Sequence, residues 1–163
     1  MPSDIERRVG EKLLQHRYTL SLGESCTGGL IGHRLTDVPG SSEYFLGGII
    51  AYSYEAKERL LGVRHDTLYQ HGAVSEETAQ EMARGARHAL GADIGLAVTG
   101  IAGPGGGLPG KPVGLTWIAL SSRDLESARQ FIWRGDREAN KLQSSEAALA
   151  MLEEYLDQLG ALD

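Results

Sequence analysis

Two glycine-rich clusters dominate the residues able to do chemistry. Gly23-Glu-Ser-Cys-Thr-Gly-Gly29 follows an apolar run that ends at Leu22, and Thr99-Gly-Ile-Ala-Gly-Pro-Gly-Gly-Gly107 follows another that ends at Val98. In open α/β sheets, ligands bind in the crevice outside the carboxyl ends of the strands. Glycines at a strand-to-helix turn expose backbone N–H groups that suit a phosphate or a carboxylate. The plainer alternative is that both clusters only make tight turns. Neither is a Walker A loop, because no Gly-Lys-Ser/Thr follows, and neither carries the dinucleotide fingerprint.

Candidate nucleophiles crowd the same places: Ser25, Cys26, Thr27, Ser41, Ser42 and Thr99. A cysteine at a helix start can have a depressed pKa. Cysteine and serine hydrolases usually recruit histidine, yet His16, His33, His65, His71 and His88 all fall outside the glycine loops. That favours a buried, inert Cys26. It also leaves a serine activated by lysine, with tyrosine as its partner. Ser42, Tyr52 and Lys57 form such a candidate set. The same residues read equally well as a turn serine, a strand tyrosine and a helix-surface lysine. One straight strand from Ser42 to Tyr52 would hold them roughly 33 Å apart at ~3.3 Å per residue. The set therefore requires Gly47-Gly48 to fold the chain back, or a second subunit to supply one member. Arg137, in Gly135-Asp136-Arg137, can reach a phosphate bidentately or pair with a carboxylate on its own helix. No His/Cys/Asp/Glu group has metal-ligand spacing, so no metal is expected.

The elements that must position these residues alternate along the chain. Apolar positions at helical spacing predict a helix over 4–16, with Ser3 as N-cap and Glu6 completing a capping box. Residues 18–22 read as a strand and 30–35 as a helix. Residues 42–46 read as one helical turn broken by Gly47-Gly48, followed by a strand over 49–53. Helices are expected over 55–61 and 66–70, then over 76–90 between an N-cap Ser75 and a closing Gly91. Strands are expected over 94–98, 113–121 and 127–133, the last two as a hairpin about Arg123-Asp124. A long helix starts at Arg137, capped by Asp136. Strands alternating with helices imply parallel pairing and right-handed crossovers. The fold class is α/β: a single three-layer α/β/α domain over 1–163, with a mixed, mostly parallel sheet of about five strands.

Composition sets the outer bounds. The 163 residues carry 16 Lys+Arg against 22 Asp+Glu, a net charge of -6, which argues against a direct nucleic-acid binder. A hydrophobic share of 41% with 23% charged residues is globular rather than disordered composition. The single Cys26 rules out an internal disulfide. The first residues lack an apolar signal core, and residues 113–120, the longest apolar run, fall short of the ~18 that a membrane span needs. A cytoplasmic protein with no membrane association is the expectation. The 22 glycines are about twice the ordinary share of roughly 7%, and the 105–107 run suggests a mobile lid.

The chemistry-bearing blocks also stand in a recognisable order. Glu24-Ser-Cys-Thr-Gly-Gly29, Gly40-Ser-Ser42 with Phe45, Ala51-Tyr52-Ser53 with Lys57, Leu61-Gly62-Val63, Gly72-Ala-Val-Ser75, Thr99-Gly-Ile-Ala-Gly-Pro104, Lys111-Pro-Val-Gly114 and Gly135-Asp-Arg137 run through most of the chain. The pattern closely resembles the CinA C-terminal domain family, the nicotinamide mononucleotide deamidases also called PncC. The resemblance implies hydrolysis of the carboxamide of nicotinamide mononucleotide to nicotinate mononucleotide and ammonia, a step of pyridine-nucleotide salvage that uses no cofactor. Carried over by motif, Ser42 is the nucleophile, with Tyr52 and Lys57 as its activating pair. Ser25, Thr27, Gly28, Gly29, Thr99, Gly100, Ile101, Ala102 and Arg137 then hold the small-molecule substrate. Where the family often has a further arginine, this chain has Lys141. Two other readings stay open: an amidase for another small metabolite, and a catalytically silent nucleotide-binding module acting through a protein partner. A homodimer is expected, because the apolar 44–50 segment can line an interface.

Overall fold

In the computed structural model, which describes residues 4–162, apolar periodicity becomes two packed helical layers on one sheet. Ile5, Val9 and Leu13 are buried along one stripe of α1 (Ile5–His16). They pack with Ile31 and Leu35 of α2 (Leu30–Thr36) and with Leu149, Leu152 and Leu156 of α6 (Arg137–Leu162). The opposite layer holds α3 (Tyr54–Leu61), α4 (His65–His71) and α5 (Glu76–Leu90), through Leu61, Leu68, Met82 and Ala86. The capping signals at both ends of α5 act as read: Ser75 Oγ accepts from Thr78 N, and Gly91 takes the left-handed conformation. Ser3, expected to cap α1, lies outside the described residues. Asp4 occupies the N-cap position without a side-chain cap bond. Among the described residues, no helix is long and apolar enough to cross a membrane.

Between these layers lies a 5-stranded sheet of order β2-β1-β3-β4-β5. β1 (Leu20–Glu24) runs parallel to both β2 (Phe45–Ile50) and β3 (Ile94–Gly100). β4 (Leu115–Ser122) is antiparallel to β3, and β5 (Glu126–Ile132) is antiparallel to β4. The chain leaves β1 through α2 on one face. It reaches β3 through α3, α4 and α5 on the other. This reversal opens a crevice at the carboxyl ends of β1 and β3.

The first two expected strands shift, each for a physical reason. The first strand begins at Leu20, not residue 18, because α1 ends in a left-handed Arg17 and Tyr18 N still bonds Leu13 O. It then continues through Gly23 and Glu24, opposite Ala97 and Val98. The second strand starts at Phe45, after a 3-10 turn at Ser41–Glu43, and contains Gly47 and Gly48. This glycine pair does not fold the chain back. Gly48 lets an edge strand pass close to Leu22, whose Cβ would lie 3.3 Å from a Cβ there. In the 44–50 segment, Tyr44 is buried in the core while Leu46 and Ile50 project outward from the edge strand.

Candidate active site

Strand parity decides which side chains meet at the crevice. Leu20, Leu22 and Glu24 point to the α1–α2–α6 side, and Gly23 faces α5. Ser25, one residue beyond the strand, turns toward α3. Lys57 approaches it from the first turn of α3, which Ser53 starts by accepting from Ala56 N at 3.0 Å. Lys57 is only 1% exposed, a rare situation for lysine. Its Nζ lies 2.8 Å from Ser25 Oγ, 2.8 Å from Ala51 O and 3.1 Å from Tyr52 O. Burial pulls its pKa down from 10.5 to about 8. A neutral amine there gives its two hydrogens to the carbonyls of Ala51 and Tyr52. Its lone pair is then left to accept the Ser25 hydroxyl proton. This is the geometry of a serine activated by a lysine base.

The pair opens into a cavity of about 140 Å³, also lined by Cys26, Tyr52, Ala73, Val74, Thr99, Gly100, Ala102 and Arg137. Beside it, sharing Arg137, lies a wider depression of about 390 Å³ lined with Leu30, Glu138 and Lys141. Cys26 also lines the inner cavity, and burial pushes its thiol pKa up to about 12, so the thiol is inert.

Within one chain, the structure separates the expected nucleophile from its activating pair. Ser42 sits in the 3-10 turn before β2, whereas Tyr52 and Lys57 follow that strand. The strand's six residues put roughly 20 Å between them at ~3.3 Å per residue. Within this chain, the serine on Lys57 is Ser25, one of the candidate nucleophiles in the sequence, which the resemblance places among the substrate-binding residues. The Tyr52 side chain also has a different place. Its carbonyl orients Lys57, but its hydroxyl accepts from Arg137 Nη2 at 3.1 Å, at the mouth of the cavity.

The first glycine loop differs from expectation too. Its N–H groups are already occupied by the chain's own carboxylate. Glu24 Oε1 accepts from Thr27 Oγ1 at 2.6 Å, Gly29 N at 3.2 Å and Ile31 N at 3.1 Å, and Oε2 accepts from Gly32 N at 3.0 Å. Thr27, Gly28 and Gly29 therefore do not line the cavity, and the start of α2 is closed to an external anion. In the second loop, Thr99, Gly100 and Ala102 line the cavity. Ile101 is buried, its backbone paired with Gly114 and Leu115. A side chain at Gly100 would meet Thr116 Oγ1 at 2.6 Å and Cys26 Sγ at 3.1 Å, so glycine is what the space allows. Arg137 Nη1 donates to Gly103 O at 2.7 Å, and Asn140 Nδ2 to Ala102 O at 3.0 Å. With Lys111 Nζ on His71 O, these bonds anchor the residues on either side of the exposed 105–107 run. Ala73 and Val74 were not singled out as wall residues. Thr99 Oγ1 holds them in place through Ala73 O, at 2.7 Å. Among the described residues, no cluster of His, Cys, Asp or Glu could hold a metal ion.

Comparison with known proteins identifies the family. The sequence pattern of the CinA C-terminal domain matches residues 2–156. A CinA-like protein of Chlorobaculum tepidum is 53% identical over 151 residues, which cover 89% of this chain and 36% of that protein. A CinA-like protein of Chloroherpeton thalassium is 50% identical over 157 residues, covering 94% and 37%. The chain thus spans little more than a third of the length of these curated relatives. Among solved structures, a CinA superfamily protein from Klebsiella pneumoniae superposes with a TM-score of 0.92 at 37% identity, covering 95% of this chain and 97% of that one. A competence/damage inducible protein from Agrobacterium tumefaciens gives 0.88 at 40% identity, covering 96% and 98%. The sequence blocks, the mixed five-stranded fold and these matches agree: the chain belongs to the CinA C-terminal domain family.

Proposed function

We propose that the chain is a serine amidase that hydrolyses the carboxamide of nicotinamide mononucleotide to nicotinate mononucleotide and ammonia, with Ser25 as nucleophile and Lys57 as base. The observation that carries this reading is the buried Lys57 Nζ, 2.8 Å from Ser25 Oγ and aimed by two carbonyls. Lys57 takes the hydroxyl proton as Ser25 Oγ bonds to the amide carbon. The C–N bond then breaks, and the Lys57 ammonium returns that proton to the departing ammonia. Water, deprotonated by the same lysine, cleaves the ester and frees Ser25. The backbone N–H of Cys26, the residue that follows Ser25 and lines the cavity, is placed to serve as an oxyanion donor.

The substrate's size fits the two hollows. A cavity of about 140 Å³ compares with the ~150 Å³ that takes up benzene in an engineered core, so it suits one planar ring with its amide. The ribose phosphate extends over Arg137 toward Lys141 in the wider depression, where its binding energy helps to place the amide. The test is incubation of the purified chain with nicotinamide mononucleotide. Ammonia and nicotinate mononucleotide in equal amounts are expected. A folded protein that releases neither overturns the reading.

A further inference from the structure

Glu24 is a buried carboxylate, 2% exposed, next to the nucleophile and outside the cavity. Its side chain gathers Thr27 Oγ1 and the N–H groups of Gly29, Ile31 and Gly32, which fixes the turn that carries Ser25. Its main chain reaches the other half of the pair. Glu24 O accepts from Ala51 N at 2.8 Å, and Ala51 O in turn accepts from Lys57 Nζ at 2.8 Å. One residue thus pins both the loop of the nucleophile and the strand end that aims the base. The start of α2 supplies the positive end of the helix dipole, which balances the carboxylate's charge.

We propose that Glu24 is a positioning residue, whose carboxylate holds the 24–32 segment so that Ser25 Oγ stays on Lys57 Nζ. The proposal rests on the reading of Ser25 as nucleophile. It requires a carboxylate specifically. An amide at Glu24 accepting through one oxygen would turn its NH2 group against an N–H that now donates. An aspartate is one methylene too short to reach the same donors.

The test separates geometry from folding. Ser25 is titrated with a fluorophosphonate probe, and labelling is followed by intact-mass spectrometry. The final amplitude counts folded sites, and the rate constant reads the alignment of Ser25 with its base. For Glu24→Gln, the expected result is full amplitude with a rate constant at least about tenfold below wild type, as misplacement of a reacting group predicts. Thr27→Val removes only the 2.6 Å bond to Glu24 and should give full amplitude with a smaller drop. An unchanged rate constant in Glu24→Gln, or a fall in amplitude alone, overturns the proposal. If Glu24→Gln does not fold, an unchanged rate in Thr27→Val overturns it instead. A wild type that labels at Ser25 but releases no ammonia sinks the substrate assignment and leaves this proposal standing. A wild type that does not label at Ser25 removes the nucleophile and this proposal together.

Discussion

Lys57 Nζ stands 2.8 Å from Ser25 Oγ in a buried pocket, with its other contacts on the carbonyls of Ala51 and Tyr52. No carboxylate offsets its charge there, so burial dominates and lowers its pKa to about 8. The consequence is a pH profile of definite sign. The base is the neutral amine, whose fraction rises with pH. The rate constant kcat/KM should climb about tenfold per pH unit below 8 and level off above it. Steady-state rates between pH 6 and 9.5 check this. A profile that is flat, or that falls across this range, contradicts a lysine base. Lys57→Arg, which cannot deprotonate, should be inactive at every pH in the range.

Arg137 bridges Gly103 O and Tyr52 Oη and forms the wall between the two hollows. If it meets the substrate phosphate, Arg137→Ala should raise KM for nicotinamide mononucleotide by about 10-fold or more, the scale of a lost charge-assisted hydrogen bond. The effect on nicotinamide riboside, which lacks the phosphate, should be much smaller. Parallel kinetics on the two substrates measure the difference. Equal losses would place the phosphate elsewhere.

Much of this architecture is legible in the residues. Ser75 and Gly91 mark the ends of α5, and the unbroken apolar run of β3 marks a strand buried on both faces. Gly47-Gly48 was illegible for the opposite reason. Local rules read two glycines as a break, whereas here Gly48 passes close to Leu22 and Gly47 close to Leu90 within a strand. The Ser42 assignment, carried over by motif, depended on such a break or on a second subunit. The decisive signal for Ser25 is parity along β1. Once the strand runs to Glu24, the next side chain faces α3, where Lys57 waits. The sequence also does not reveal that the start of α2 is already filled. Only the folded chain brings the Glu24 side chain back onto the N–H groups of its own loop.

Cys26 follows Ser25 directly, yet burial holds its thiol near pKa 12. At pH 8 it should therefore resist iodoacetamide for hours in the native protein and react within minutes after unfolding, because the thiolate is the reacting form. Mass spectrometry of the alkylated chain reads this out. Rapid native alkylation would mean a thiolate in the pocket and would put Cys26 in competition with Ser25.

The central claim is the identity of the nucleophile. It is tested most directly by ammonia release from nicotinamide mononucleotide in Ser25→Ala and Ser42→Ala, side by side. Ser25→Ala should lose roughly a thousandfold or more in kcat, the scale of removing a nucleophile, with its melting temperature little changed. Ser42→Ala, about 20 Å from Lys57 by the length of β2 at ~3.3 Å per residue, should stay within about twofold of wild type. Activity retained in Ser25→Ala, or abolished in Ser42→Ala, would contradict the account.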